Sequence, residues 1–219
     1  MGDWQVGLST GCFYRQSIFD VLETVKDGGF TLLELSTYPA HLDYRDQDLV
    51  RRAAARIDEL GMEVLSLHAP FGRHIDISAL DENTRRRSID ELVAALDAAR
   101  ILGAPYMVMH PAPELDRFPS DTEMIARLHQ AASSAAVLYR AGRERDVKVA
   151  FENMAPHVAF GRIRDVLWIL GSLDEKQLYC CLDTGHANLA REAYTAPYKL
   201  GRSLAVIHAN DNDDRTDAH

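Results

Sequence analysis

Short apolar segments alternate with longer helix-like segments along the whole chain, and this alternation restricts the fold more than any other feature. Seven short segments have the length and composition of β-strands, at 6–10, 32–36, 64–68, 106–110, 147–152, 178–183 and 204–208. The segments between them have helical periodicity, at about 17–29, 46–60, 83–102, 120–141, 162–170 and 190–200. This repetition indicates a parallel sheet whose strands are connected by helices.

A polar residue stands at the carboxyl end of nearly every predicted strand. These residues are Glu34, His68, His110, Glu152, Asp183 and His208. They are separated by 34, 42, 42, 31 and 25 residues, each about one strand–helix unit. An open doubly wound sheet gathers its functional groups near one switch point, whereas a barrel collects them from all strand ends at one mouth. The sequence therefore predicts an α/β fold, specifically a (β/α)8 TIM barrel.

Side-chain alternation within the strands supports this prediction. Residues two apart share a face of a strand, so the neighbours of each polar strand end point away from the mouth. On this basis Met109, Phe151 and Ile207 are predicted to face the surrounding helices.

The predicted barrel has seven strands, and the chain stops at His219, in a polar loop after the seventh. An eighth strand and helix would need roughly 30 more residues. We therefore expect one domain over residues 1–219, a TIM barrel that is truncated at its C-terminus and lacks the eighth strand and helix. An open barrel edge favours association, so a homo-oligomer is a further expectation.

The composition excludes several classes of protein. The chain lacks a run of about 18 apolar residues and an N-terminal signal sequence, so we expect no membrane segment and a cytoplasmic location. Three cysteines, two of them adjacent, do not form a disulfide framework and fit a reducing compartment. The net charge of −9 repels a polyanion such as DNA.

The polar strand ends and the final loop have the chemistry of metal ligands. The candidate ligands are His68, His110, Glu152, Asp183, His186, His208, Asp217 and His219. Imidazole and carboxylate together suit borderline divalent ions such as Zn²⁺ or Mn²⁺. Because a carboxylate such as Glu152 can bridge two ions, we expect one to three ions. No thiolate belongs to the set by position, although Cys181 shares a strand face with Asp183.

Each candidate also has an ordinary structural interpretation. A single histidine at a strand end is usually a polar residue beside a loop, and the acidic segment 211–217 by itself indicates a solvated loop. The joint occurrence of His, Asp or Glu at five consecutive strand ends favours metal binding. Asp183 and His186 are predicted to lie across a tight turn that Gly185 permits.

Other polar residues have more than one interpretation. Glu34 is predicted to face inward, either as a substrate contact or as a charge partner for a neighbouring ligand. The remaining histidines are interpreted as surface residues or as residues that support a ligand. They are His41, His74, His129 and His157.

Short motifs around the candidate ligands resemble those of the xylose isomerase-like TIM-barrel superfamily. They are His68-Ala69-Pro70, His110-Pro111-Ala112, Phe151-Glu152-Asn153, Leu182-Asp183-Thr184-Gly185-His186-Ala187-Asn188 and His208-Ala209-Asn210-Asp211-Asn212. The superfamily includes sugar phosphate isomerases and epimerases and AP endonuclease family 2, the endonuclease IV-like proteins. The resemblance covers essentially the whole chain and implies a divalent metal centre at the barrel mouth.

The resemblance implies two ligand patterns. Ketose epimerases hold one ion with Glu, Asp, His and a Glu from the eighth strand; Glu152, Asp183 and His208 match the first three. Endonuclease IV holds three zinc ions, and all eight candidate ligands match its pattern, again short of the last Glu. Many sugar phosphate isomerases also keep the longer set, so the ligands do not separate the two chemistries.

The sequence therefore favours a metal-dependent isomerase or epimerase of carbohydrate metabolism, acting on a sugar or sugar phosphate. Glu152 is the expected proton-transferring base, and His186 is expected to contact the substrate or a further ion. Glu34 and Asn188 are candidate substrate-binding residues. The alternatives are phosphodiester hydrolysis at abasic sites in DNA, disfavoured by the short loops and acidic charge, and a metal- and sugar-binding remnant without activity.

Overall fold

Seven strands are present in the computed structural model of the chain, which describes residues 5–174 and 177–217. They are β1 (Leu8–Ser9), β2 (Leu32–Ser36), β3 (Glu63–His68), β4 (Tyr106–Met109), β5 (Lys148–Glu152), β6 (Tyr179–Asp183) and β7 (Leu204–His208). They form one parallel sheet in chain order, from β1 to β7. This confirms the predicted α/β fold and its seven strands, the arrangement of an incomplete TIM barrel.

The helices occupy the segments between the strands. They are α1 (Ile18–Asp27), α2 (Gln47–Glu59), α3 (Glu82–Ile101), α4 (Asp121–Glu144), α5 (Ile163–Gly171), α6 (Thr184–Leu189) and α7 (Ala196–Leu200). Two helix starts illustrate the local chemistry. Asp46 caps α2, because its carboxylate accepts hydrogen bonds from the amides of Asp48 and Leu49. Ser17 precedes α1, but its side chain makes no capping hydrogen bond to the helix.

The chain divides into two compact units. The first unit comprises the described residues up to Pro70 together with 92–107 and 141–148. Here β2 pairs with β1 and β3, and the apolar faces of α1 and α2 contribute to its core. Its fully buried side chains include Leu22, Leu33, Leu35 and Leu67.

The second unit comprises residues 71–91 and 108–140 together with the described residues from Val149 onward. In it β6 lies between β5 and β7, with Glu152 opposite Cys181 and Asp183 opposite His208. Phe151 is buried beneath the stacked ring of Tyr139, with centroids 6.4 Å apart. This register aligns the carboxyl ends of β6 and β7 and places the end of β5 two residues before them. The single domain expected over 1–219 stays a prediction.

The outward-facing strand residues follow the predicted alternation in part. Met109 and Phe151 are buried as expected, but Ile207 is 36% exposed, so the predicted helix cover over it is incomplete among the described residues. None of the described helices has both the length and the apolar character needed to cross a bilayer.

Candidate metal centre

Three neighbouring strands of the second unit, β5, β6 and β7, each end in a polar residue. Glu152 ends β5, Asp183 ends β6 and His208 ends β7, while His186 follows in α6. Glu152, Asp183 and His186 are only 2%, 1% and 4% exposed, whereas His208 is half-buried. Burial of two carboxylates is costly unless cations or hydrogen-bond donors stabilise them, so their surroundings indicate what they do.

Three imidazoles surround the Glu152 carboxylate. His208 Nδ1 lies 3.1 Å from Oε1, and His186 Nδ1 lies 3.8 Å from the same oxygen. His110 Nε2 lies 3.4 Å from Oε2. A buried carboxylate among imidazole nitrogens is a donor set that suits borderline divalent ions.

Asp183 begins helix α6 and thereby places His186. Its Oδ1 accepts a hydrogen bond of 2.7 Å from the His186 amide, which caps the helix. The tight turn predicted at Gly185 is therefore wrong, because residues 184–189 form a helix and Gly185 lies in its first turn. The helix brings His186 Nδ1 to 3.5 Å from Asp183 Oδ1.

Gly185 is required here for its small size. A Cβ atom at this position would lie 3.0 Å from Asn212 Nδ2, 3.2 Å from Asn210 Cβ and 3.3 Å from Asp183 Oδ1. The Asn212 amide donates a 2.9 Å hydrogen bond to the Gly185 carbonyl. Close packing at glycine thus keeps the loop after β7 against the start of α6.

Two asparagines hold the Asp183 segment in position. Asn153 Oδ1 accepts from the Asp183 amide at 2.9 Å, and its Nδ2 donates to the Asp183 carbonyl at 3.0 Å. Asn210 Nδ2 donates to Asp183 Oδ2. Neither asparagine has a predicted role; the available signals were their positions, directly after Glu152 and two residues after His208.

The ring orientation of His186 follows from its backbone partner. The Asn153 carbonyl lies 2.9 Å from His186 Nδ1, so that nitrogen carries the proton in the neutral ring. The other nitrogen, Nε2, lies 3.3 Å from Asp217 Oδ2. Nε2 is therefore the atom of His186 with a lone pair for an ion.

The loop after β7 is folded by its own polar groups. Asp213 Oδ1 accepts hydrogen bonds from the amides of Thr216 and Arg215, and these bonds lower the pKa of the Asp213 carboxyl. Asp217 reaches His186 from this loop, so the segment is more than the solvated acidic loop that its composition suggests. His219, the other predicted ligand in this loop, lies outside the described residues.

Two groups of side chains in the second unit could hold an ion. Glu152, Asp183 and His186 form one group, and Glu152, Cys181 and His208 form the other; within each group the ligand atoms lie within 4.8 Å of one another. The strand register explains the presence of sulfur, since Cys181 lies opposite Glu152. Cys181 is not among the predicted ligands, because by position in the sequence no thiolate belongs to that set.

Two predicted site residues, His68 and Glu34, belong to the first unit and contact a backbone carbonyl and two hydroxyls, respectively. His68 ends β3, where its Nδ1 lies 3.0 Å from the Ala69 carbonyl. Glu34 accepts hydrogen bonds from the hydroxyls of Ser9 at 3.0 Å and Ser66 at 2.8 Å. The ligand role of His68 and the substrate role of Glu34 stay predictions.

The structure also gives the hydrogen-bond partners of Asn188 and His41. Asn188 donates a hydrogen bond of 3.0 Å to Asn212 Oδ1, and its role toward substrate stays a prediction. His41 is buried, with Nδ1 2.7 Å from the Gln16 carbonyl, so it is not a surface residue. Burial lowers the pKa of His41.

Comparison with protein families decides the classification. The xylose isomerase-like TIM barrel family matches residues 22–219, which is nearly the whole chain. The chain belongs to this family. Membership confirms the resemblance carried by the five motifs. Comparison with curated protein sequences finds no significant match.

Solved structures of the same fold include several sugar-processing enzymes. A D-tagatose 3-epimerase-like protein has a TM-score of 0.82 at 22% identity, with 96% of this chain and 79% of that chain covered. D-psicose 3-epimerase from Clostridium cellulolyticum, solved with D-tagatose, gives 0.79 at 14% identity, with 94% and 72% covered. A Thermus thermophilus protein soaked with zinc chloride gives 0.69 at 22% identity, with 98% and 80% covered. At these identities the likeness establishes the fold.

Proposed function

We propose that the chain is a divalent-metal-dependent isomerase or epimerase acting on a sugar or sugar phosphate. One observation carries the proposal: the buried Glu152 carboxylate lies 3.1–3.8 Å from nitrogens of three histidines, among them His186 and His208. Such an arrangement is poorly explained as a structural core, because an apolar core needs neither a carboxylate nor imidazoles. The epimerase activities named for D-tagatose- and D-psicose-processing proteins of the same fold support a sugar as the substrate.

The donors fit two neighbouring ion positions. Glu152, Asp183 and His208 would hold one ion, and Asp183 would also contribute to a second. His186, through Nε2, and Asp217 would hold a second ion with Asp183. We further propose that His110, His68 and His219 complete the ligand set, giving one to three ions of zinc or manganese.

The bound metal would act as a Lewis acid that polarises the sugar carbonyl. Glu152 then removes and returns the proton on the carbon next to that carbonyl, because it is the buried carboxylate at the centre of the donor cluster. Where no second ion is bound, His186 Nε2 would instead contact a sugar hydroxyl, with the ring held by the Asn153 carbonyl. Glu34 and Asn188 are the proposed contacts for the remaining hydroxyls.

A second candidate function is metal-dependent cleavage of DNA at abasic sites. The contact of 3.3 Å between His186 and Asp217 is compatible with it, since this pair belongs to the longer ligand set that endonuclease IV has in common with many sugar phosphate isomerases. The net charge of −9 opposes it, because such an enzyme must bind a polyanion. We therefore rank sugar chemistry first.

Proton exchange tests the proposed reaction directly. The chain is purified without chelators, its zinc and manganese contents are measured, and it is incubated with ketohexoses and ketose phosphates in deuterated water. The expected result is deuterium incorporation next to the carbonyl of at least one sugar, which Glu152→Gln abolishes. Cleavage of abasic DNA without sugar exchange would favour the second candidate. Bound metal with neither reaction would support a binding remnant.

A further inference from the structure

Cys181 lies on the same strand face as the proposed ligands. The register of β5 and β6 places it opposite Glu152, and both residues are almost completely buried. Its Sγ, a Glu152 oxygen and a ring nitrogen of His208 all lie within 4.8 Å of one another. A sulfur atom thus lies beside the Glu152 carboxylate and the His208 imidazole, where it could bind the same ion.

The adjacent cysteine has the opposite orientation. Cys180 is fully buried and pairs in register with Phe151, on the face that alternates with that of Cys181 and Asp183. The candidate metal group includes Cys181 and not Cys180. The two neighbouring thiols therefore offer a matched pair of positions, one facing the donor cluster and one facing away.

We propose that Cys181 is a ligand of the ion held by Glu152 and His208, and that its sulfur makes the centre select zinc over manganese. This inference rests on the proposed metal centre. When the ion binds, the thiol releases its proton to solvent and the sulfur lone pair forms the metal bond. Thiolate sulfur favours Zn²⁺, whereas Mn²⁺ prefers oxygen ligands.

X-ray absorption at the zinc edge tests the ligand directly on the full chain. Wild-type protein should show a zinc–sulfur distance of about 2.3 Å together with nitrogen and oxygen at about 2.0–2.2 Å. Cys181→Ser should lose the sulfur distance and keep the others. The matched control Cys180→Ser should keep both, and circular dichroism and melting establish that each variant is folded.

Metal selectivity provides a second readout. Loss of the sulfur should weaken zinc binding by at least about tenfold, the lower range for loss of a supporting residue at a metal site. Manganese affinity should change by less than about threefold, because manganese gains little from sulfur. Equal losses for both ions would overturn the assignment of selectivity to Cys181.

The outcomes separate this inference from the proposed function. Stoichiometric zinc in wild-type protein without a sulfur distance, and lost in Glu152→Gln, would overturn the cysteine ligand and leave the metal centre in place. Absence of bound zinc and manganese would overturn both. If Cys181→Ser does not fold, cobalt-loaded wild-type protein decides: a sulfur-to-cobalt charge-transfer band supports the ligand, and visible cobalt bands without it contradict it.

Discussion

Each compact unit buries a glutamate near a strand end, and the two glutamates have different partners. In the first unit, Glu34 accepts hydrogen bonds from the hydroxyls of Ser9 and Ser66. In the second unit, Glu152 lies beside imidazole nitrogens, with His208 Nδ1 at 3.1 Å. Hydroxyl protons stabilise a carboxylate without any ion, whereas neutral imidazoles also bring lone pairs that can bind a metal.

This difference indicates that the Glu34 carboxylate is stabilised without a metal ion, whereas the Glu152 carboxylate has the surroundings of a metal ligand. Both residues are buried glutamates on parallel strands, so the partners are what distinguish them. A carboxylate among hydroxyl donors should contribute to stability, and a carboxylate among imidazoles should contribute to metal binding. The predictions below test this distinction, beginning with the largest expected effect.

Replacement of the two glutamates should give opposite phenotypes. Glu152→Gln should abolish retention of zinc or manganese, because an amide is a much weaker ligand than a carboxylate. Glu34→Gln should retain the metal but lower the free energy of unfolding by about 1–3 kcal/mol, since a charged acceptor of two hydrogen bonds is lost. Metal content after gel filtration and chemical denaturation measure the two effects.

The converse pattern would contradict the distinction between the two sites. Loss of metal in Glu34→Gln at unchanged stability would place Glu34 in the metal centre. Retention of metal in Glu152→Gln would remove the observation on which the proposed function depends.

Asp76 is another buried carboxylate. It tests whether the role of a carboxylate follows from its ion-pair and hydrogen-bond partners or from its position in the second unit. It lies in the second unit with Glu152, but its partner is an arginine: Arg127 Nη1 lies 2.9 Å from Asp76 Oδ2. Arg127→Met leaves a buried charge without its cation and should lower the free energy of unfolding by about 3–5 kcal/mol at full metal content. The control Arg51→Met breaks an exposed pair with Asp48 and should cost less than about 1 kcal/mol.

Metal loss would be the unexpected outcome for Asp76. If folded Arg127→Met binds zinc less well than wild type, zinc affinity would depend on a buried carboxylate of the second unit that is not a ligand. The role of a carboxylate could then no longer be assigned from its immediate partners.

The sequence predicted which strands end in polar residues, because an apolar run followed by His, Asp or Glu is a local pattern. It separated Glu152, a predicted ligand, from Glu34, a predicted substrate contact or charge partner, but it did not predict their hydrogen-bond partners, since these come from distant segments and depend on strand register. The same reason explains why Cys181 was not predicted as a ligand: it lies opposite Glu152, which belongs to another strand. Helix α6 was missed because six residues that include Gly185 carry too little periodicity.

Gly185 offers a smaller effect at the centre. Gly185→Ala adds a Cβ 3.0 Å from Asn212 Nδ2 and 3.3 Å from Asp183 Oδ1, so Asp183 and the loop must shift. We expect zinc affinity to fall by about tenfold, the loss typical of disturbing a group that orients a ligand. Titration with a zinc indicator measures the change.

A second glycine provides the matched control. Gly171 ends α5, and a Cβ there would have nothing within 4 Å. Gly171→Ala should leave zinc affinity unchanged and stabilise the chain by up to about 1 kcal/mol, because alanine loses less backbone entropy on folding. Equal zinc affinities for the two variants would show that the packing at Gly185 is irrelevant to the ligands.

The smallest effect concerns His41, a buried imidazole of the first unit that lies beside a backbone carbonyl. Burial lowers its pKa below the usual value of about 6.5, because the charged ring loses solvation. As the pH falls through about 6.5, the unfolded chain therefore binds the proton first, and the stability contributed by neutral His41 is lost toward the lower folded pKa. His41→Gln, which keeps a donor for the Gln16 carbonyl, should flatten the fall in unfolding free energy between about pH 7 and pH 5.

The control His157→Gln changes an exposed side chain and should leave the fall in unfolding free energy as it is in wild type. An unchanged pH slope in His41→Gln would assign the acid sensitivity to other groups and remove His41 as a contrast to the imidazoles around Glu152.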